Sequence, residues 1–76
     1  MARPETPRHL AKRSLSLAGH RTSIALEPAF WAALEAAAAE RRTSLAALVA
    51  ALDAERPPGV PLASALRVFA LGARNR

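Results

Sequence analysis

The chain has 76 residues, a formal net charge of +5 and no cysteine. A domain of this size removes only about 60% of its unfolded surface from water when it folds alone, so we expect marginal stability or an obligate partner. The charge favours polyanions, nucleic acid above all, as partners, and the missing cysteines exclude disulfides, thiolate metal sites and thiol nucleophiles.

Two further patterns bear on location. The longest apolar run, Leu45 to Leu52, falls far short of the ~20 residues of a membrane span. The basic N-terminus leads into alternating Ser and Leu rather than into the continuous apolar segment of a secretory signal. We therefore expect a cytoplasmic protein that has no membrane partner.

The N-terminal segment from Met1 to Arg13 carries two prolines and four cations against one acid. It shows no periodicity and offers little to bury. We predict a flexible basic N-terminal arm over residues 1–13, ahead of one domain over residues 14–76. An ordinary solvated tail is the alternative.

The segment from His20 to Leu26 alternates in the way that is typical of a strand with one buried face. The predicted buried set is Thr22, Ile24 and Leu26, and the predicted outward set is Arg21, Ser23 and Ala25. Leu15 and Leu17 alternate with the opposite parity, so one straight strand would put the two apolar pairs on opposite faces. We expect a turn or bulge at Gly19 to resolve this conflict.

Three helices are predicted after the strand. The first runs from about Pro28 to Arg42, with proline in its first turn. The second opens at the hydroxyl N-cap signal Thr43-Ser44 and stops before a Pro-Pro-Gly turn. The third opens near Pro61, and the apolar Val68 and Leu71 lie off its main stripe, which indicates contacts on two sides.

The predicted strand needs a partner, because an isolated strand leaves its backbone groups unpaired. Within the chain the only candidate is Ser14 to Leu17, which is short and would have to fold back through Ala18-Gly19. The other candidate is the same strand of a second copy, paired antiparallel across a two-fold axis and covered by helices of both chains. We favour the second copy.

These elements resemble a known family. One strand is followed by two helices, with Thr22-Ser23-Ile24-Ala25-Leu26-Glu27-Pro28 leading into the first helix and Thr43-Ser44-Leu45 opening the second. This pattern resembles the ribbon-helix-helix family of Arc/MetJ-type repressors. The blocks Gly19-His20-Arg21-Thr22-Ser23, Glu27-Pro28-Ala29-Phe30-Trp31 and Ser64-Ala65-Leu66-Arg67-Val68-Phe69 are similar to a branch of short bacterial members, over about residues 14–71.

The resemblance implies a mostly α fold with one β-strand: an intertwined homodimer with a two-stranded antiparallel intersubunit ribbon and an additional C-terminal helix. The ribbon would enter the DNA major groove. Base-reading residues would be Arg21, Ser23 and Ala25. Phosphate contacts would come from Lys12 and Arg13 of the arm and, at the start of helix two, from Arg42, Thr43 and Ser44. The predicted dimer core is Ile24, Leu26, Phe30, Trp31, Leu34, Leu48, Val49 and Leu52.

Two positions depart from the family pattern. Ala25 stands where members commonly place a polar or basic residue, and it offers at most an apolar contact to a thymine methyl group. Arg42 stands at the inter-helix position where the family usually has glycine. A non-glycine residue is therefore expected in the left-handed conformation there. The alternative is a rebuilt turn that shifts the phosphate contact.

The leading hypothesis is a non-enzymatic, repressor-like transcriptional regulator that binds double-stranded DNA as a homodimer, with possible higher-order assembly on DNA. It needs no cofactor and no small-molecule substrate. His9 and His20 lack a third ligand at metal spacing, so no metal is expected. The main alternative is a protein-interaction module in which the third helix serves a partner and the DNA face has degenerated. A binder of anionic lipid is the weakest reading, because the cations do not follow one helix face.

Overall fold

The computed structural model describes residues 9–74 and contains one hairpin and three helices. The elements in chain order are β1 (Ala11–Leu17), β2 (His20–Leu26), α1 (Pro28–Glu40), α2 (Leu45–Glu55) and α3 (Leu62–Arg74). The helix α2 packs beside β1 and α3 packs beside β2, while α1 contacts both other helices. None of the helices within residues 9–74 combines the length and hydropathy of a membrane span.

A two-residue turn joins the strands. Ala18 and Gly19 both have positive φ, 50° and 85°, which is the type I′ geometry whose twist matches an antiparallel hairpin. Glycine adopts this conformation freely, whereas at Ala18 it costs about 1–2 kcal/mol. The turn reverses the chain and so places Leu15 and Leu17 on the same face as the apolar residues of β2. The expectation of a turn or bulge at Gly19 is confirmed as a turn.

The strand β1 is longer than the sequence indicated. It begins at Ala11 rather than Ser14, and it has seven residues, as many as β2. The segment Ala11 to Arg13, predicted as the end of the arm, is therefore part of a strand, while residues 1–8 of that arm lie outside the described residues. In this structure β2 pairs with β1 of its own chain, the partner that we did not favour from the sequence, and pairing with a second copy stays a prediction.

The core lies between one face of the hairpin and the helices. Its large buried side chains are Leu17, Ile24, Leu26, Trp31, Leu34, Leu48, Val49 and Leu66. Six residues of the predicted dimer core are among them, and the remaining two, Phe30 and Leu52, are half-buried against the same cluster. These side chains fill the core of a single chain.

The turn between α1 and α2 has a defined geometry. The backbone N–H of Arg42 donates to Ala39 O at 3.1 Å and that of Thr43 to Ala38 O at 3.0 Å, which is a Schellman motif. Arg42 has a φ of 56°, so the predicted left-handed arginine is confirmed. The first helix consequently ends at Glu40, two residues earlier than predicted.

The next helix opens with the predicted cap. Ser44 lies in extended conformation, and its Oγ accepts a hydrogen bond from the backbone N–H of Ala47 at 3.0 Å. This side chain satisfies one of the N–H groups that a helix N-terminus leaves unpaired. The start of α2 is thereby fixed at Leu45.

Candidate nucleic-acid interface

The hairpin has an inner face against the helices and an outer face turned away from them. Strand alternation places on the outer face Lys12, Ser14 and Ser16 from β1 and Arg21, Ser23 and Ala25 from β2. All of these residues are exposed except Ala25, which is half-buried. The three residues predicted to read bases thus share one surface with Lys12 from the predicted phosphate set.

Contacts across the strands organise this outer face. Ser14 lies opposite Ser23, with 3.3 Å between the two Oγ atoms. Arg21 lies opposite Ser16 and donates from Nη1 to its Oγ at 3.2 Å. Sequence reasoning missed both serines of β1 because this segment was divided between an arm and a short partner candidate. The alternation Ser-Leu-Ser-Leu was the signal that could have found them.

Arg13 points to the inner face, although it was predicted to contact phosphate beside Lys12. Its guanidinium carbon lies 4.9 Å from the centre of the Trp31 ring, and Nη1 donates to Glu35 Oε2 on α1. The structure therefore separates the two cations, which are adjacent in sequence. Arg13 contributes to the fold rather than to the outer face.

Two other arginines also lie over aromatic rings. Arg41 lies 5.0 Å from the ring centre of Phe69, and Arg67 lies 5.8 Å from that of Phe30. Arg67 also donates from Nε to Glu27 Oε1 at 2.9 Å, and this hydrogen bond lowers the pKa of the Glu27 carboxyl group from its usual value. With Arg13 over Trp31, each Phe and Trp ring of the chain has an arginine against it.

The remaining predicted phosphate contacts lie together at the start of α2. Arg42, Thr43 and Ser44 are exposed, although the hydroxyl of Ser44 is already used as the helix cap. What this turn can offer an anion is the Arg42 guanidinium and the partial positive charge of the helix N-terminus. It belongs to the helix that packs beside β1.

Comparison with protein families identifies one match. A family model described as a ribbon-helix-helix domain matches residues 10–73, a span that contains both strands and all but the last residue of α3. Comparisons with curated proteins and with solved structures give no significant match. The chain therefore belongs to the ribbon-helix-helix domain family, whose members generally bind DNA.

Proposed function

We propose that this chain is a DNA-binding transcriptional regulator that inserts the outer face of its hairpin into the major groove. The observation that carries the proposal is the outer face itself: a two-stranded ribbon with serines and two cations and no large apolar side chain. A two-stranded ribbon is of a size that the ~12 Å wide major groove admits. A surface of this polarity suits hydrated contact with DNA better than burial against protein.

Each residue has a chemical role in this proposal. The Arg21 guanidinium can bond O6 and N7 of guanine, Ser23 can bond several base edges, and Ala25 can contact a thymine methyl group. The exposed turn from Arg42 to Ser44 would hold a backbone phosphate. The protein acts as a repressor-like binding module in the cytoplasm, with no catalytic step and no cofactor.

The family generally binds DNA as a dimer, and we extend this to two copies of the present chain. The hairpin covers the core of its own chain in this structure, and we place the contact between copies on another surface. On α3, Val68 and Leu71 are 70% and 52% exposed. Val68 lines an open apolar groove of about 350 Å³ together with Leu52 and Phe69. Burying this surface against a second copy would remove the largest exposed apolar side chains of residues 9–74 from water.

The test uses the full chain and duplexes recovered from a random-sequence library, with an unselected duplex for comparison. Removing one bidentate base contact costs about 1–3 kcal/mol, so Arg21→Ala should weaken binding to the selected duplex at least about fivefold and affect the unselected duplex far less. Arg74→Ala is the matched control, since it removes the same charge at the α1–α3 surface. Equal losses on both duplexes for Arg21→Ala would refute base reading.

Salt dependence tests DNA binding itself. Each neutralised phosphate contributes about −0.9 to the slope of log K against log salt concentration. For the unmodified chain, binding constants measured by fluorescence anisotropy should give a negative slope of several units. A chain that ignores every duplex at low salt would refute the proposed function.

A protein-interaction module is the second candidate, and the exposure of Val68 and Leu71 is the observation that favours it. In this case α3 would receive a helix of another protein and the outer face would have no ligand. Sedimentation of Val68→Glu, with Ala51→Glu on the exposed side of α2 as the control, separates the two functions. Loss of self-association together with weaker DNA binding in Val68→Glu supports the dimeric DNA binder, whereas stable association of the unmodified chain without DNA binding supports the second candidate.

A further inference from the structure

The two strands carry the same pattern of residue types. In β1 it is Lys12-Arg13-Ser14-Leu15-Ser16-Leu17, and in β2 it is Arg21-Thr22-Ser23-Ile24-Ala25-Leu26. Each reads as a cation, a variable residue, serine, a branched aliphatic residue, a small residue and leucine. The first, third and fifth positions of each pattern lie on the outer face.

The register turns this repeated pattern into approximate two-fold symmetry. Ser14 pairs with Ser23, so the third position faces the third. Lys12 pairs with Ala25 and Ser16 pairs with Arg21, so the first position of either strand faces the fifth position of the other. Two identical strands paired antiparallel across a two-fold axis would have this same register.

We infer that β1 is a second recognition strand that takes the place of a second copy's strand, so that one chain carries a complete DNA-reading ribbon. This inference rests on the proposed function. It adds Lys12, Ser14 and Ser16 to the residues that touch base edges, and it changes the role of Lys12 from a phosphate contact to a base contact. The ligand remains double-stranded DNA, and the protein unit that reads it is a single hairpin.

The placement of the two cations supports this reading. Lys12 lies opposite Ala25 at one end of the outer face, and Arg21 lies opposite Ser16 at the other end. Each end therefore carries one cation able to bond guanine O6 or N7, and Lys12 supplies the polar group that Ala25 lacks. Four residues of strand separate the two ends, which is about 14 Å or the length of about four base pairs.

Contacts on the inner face hold β1 to its own chain. The indole Nε1 of Trp31 donates to the carbonyl oxygen of Ala11 at 2.7 Å, and Arg13 of β1 lies against the same ring and is paired with Glu35. Exchange of β1 for the strand of another copy would break these contacts. The hairpin is thus the arrangement that the inner face stabilises.

A disulfide lock tests whether the hairpin stays closed on DNA. The chain has no cysteine, and the inner-face residues Leu15 and Thr22 lie opposite each other in the register. Counting from the two-residue turn makes them a hydrogen-bonded pair with Cα atoms about 5.5 Å apart, which a disulfide can bridge. The variant is L15C/T22C, which leaves the outer face unchanged, and its reduced form controls for the loss of the two side chains. The selected duplex is the probe.

Oxidation is expected to give an intrachain disulfide of single-chain mass on a non-reducing gel. Affinity for the duplex should then stay within about twofold of the reduced form, because a lock in the native register adds no strain. Disulfides between chains, or a tenfold loss of affinity on oxidation, would show that β1 must leave β2 and would overturn the inference.

Lys12→Ala tests whether β1 reads bases. Its expected effect is like that of Arg21→Ala: a loss of at least about fivefold on the selected duplex and far less on the unselected duplex. A uniform loss on both duplexes would make Lys12 a phosphate contact and overturn the second recognition strand while leaving the proposed function intact. Failure of the unmodified chain to bind any duplex would refute the proposed function instead.

Discussion

The inner and outer faces of one hairpin use the same residue types for different purposes. On the outer face Lys12 and Arg21 are exposed, and the hydrogen bonds found there join serines and one arginine across the strands. On the inner face Arg13 lies over Trp31 and pairs with Glu35. Lys12 and Arg13 are adjacent in sequence, and strand alternation places Lys12 on the outer face and Arg13 on the inner face, where it contacts α1.

Net charge alone is weak evidence of a nucleic-acid partner for this chain. The +5 charge first suggested such a partner, yet three arginines lie against aromatic rings, and two of them also hold a carboxylate. The proposed contact with DNA therefore depends on where the remaining cations lie. Those on the outer face, Lys12 and Arg21, carry it.

The largest expected effect tests the inner face. Trp31 is 1% exposed, and Trp31→Ala removes its packing together with the hydrogen bond to Ala11 O. The expected loss is about 3–5 kcal/mol in the free energy of unfolding, measured by urea denaturation followed by circular dichroism. Ser23→Ala on the outer face should change this free energy by less than about 0.5 kcal/mol. Similar losses for both variants would erase the distinction between the faces.

The next prediction separates the two neighbouring cations. Arg13→Ala should lower the free energy of unfolding by about 1 kcal/mol, since it removes a cation–π contact and a surface ion pair, and should leave DNA affinity nearly unchanged in the folded variant. Lys12→Ala should leave the free energy of unfolding nearly unchanged and should weaken binding to the selected duplex. Denaturation and anisotropy on both variants check this, and a large loss of DNA affinity for Arg13→Ala would contradict the assignment of Arg13 to the fold.

A variant in the inter-helix turn is expected to change stability and DNA affinity in opposite directions. Arg42 holds a φ of 56°, so Arg42→Gly should raise the free energy of unfolding by about 0.5–1 kcal/mol by relieving the strained backbone. The same variant should weaken binding to all duplexes alike, because it removes a proposed phosphate contact. Ala18→Gly, at the other strained position, should stabilise without changing DNA binding. An unchanged DNA affinity for Arg42→Gly would remove this turn from the interface.

The smallest effect concerns an arginine that holds the fold. The hydrogen bond from Arg67 depresses the pKa of Glu27 below its usual value. The charged carboxylate therefore stabilises the fold above its ordinary pKa, and this contribution is lost as the pH falls through the lowered folded value. Thermal melting should show a steeper acid-side decline for the native chain than for Glu27→Gln. Identical profiles would contradict this assignment.

The sequence predicted the elements whose signals are local. The alternation of β2, the serine cap of α2 and the left-handed Arg42 all depend on neighbouring residues, and the structure confirms each of them. The family was identified from such local signals as well, and the family match confirms it. The roles assigned to individual residues toward DNA remain predictions.

The strand β1 could not be predicted in the same way. Its inner face includes Arg13, which counts as polar in any pattern of hydropathy and becomes an inner residue only through Trp31 and Glu35, about twenty residues away in the chain. When Trp31 and Glu35 are not considered, the segment shows only two adjacent cations followed by two leucines. For the same reason, sequence reasoning could not find the contacts of Arg41 with Phe69 or of Arg67 with Glu27.

Trp31 is the only tryptophan of the chain, and its indole donates to the backbone of β1. Its fluorescence emission therefore comes from a single site, at the point where β1 meets α1. Detachment of β1 would expose the ring to water and shift this emission to longer wavelength, even if the helices remained folded. The chain thus carries an intrinsic optical probe of whether its hairpin is docked, in solution or on DNA, without any added label.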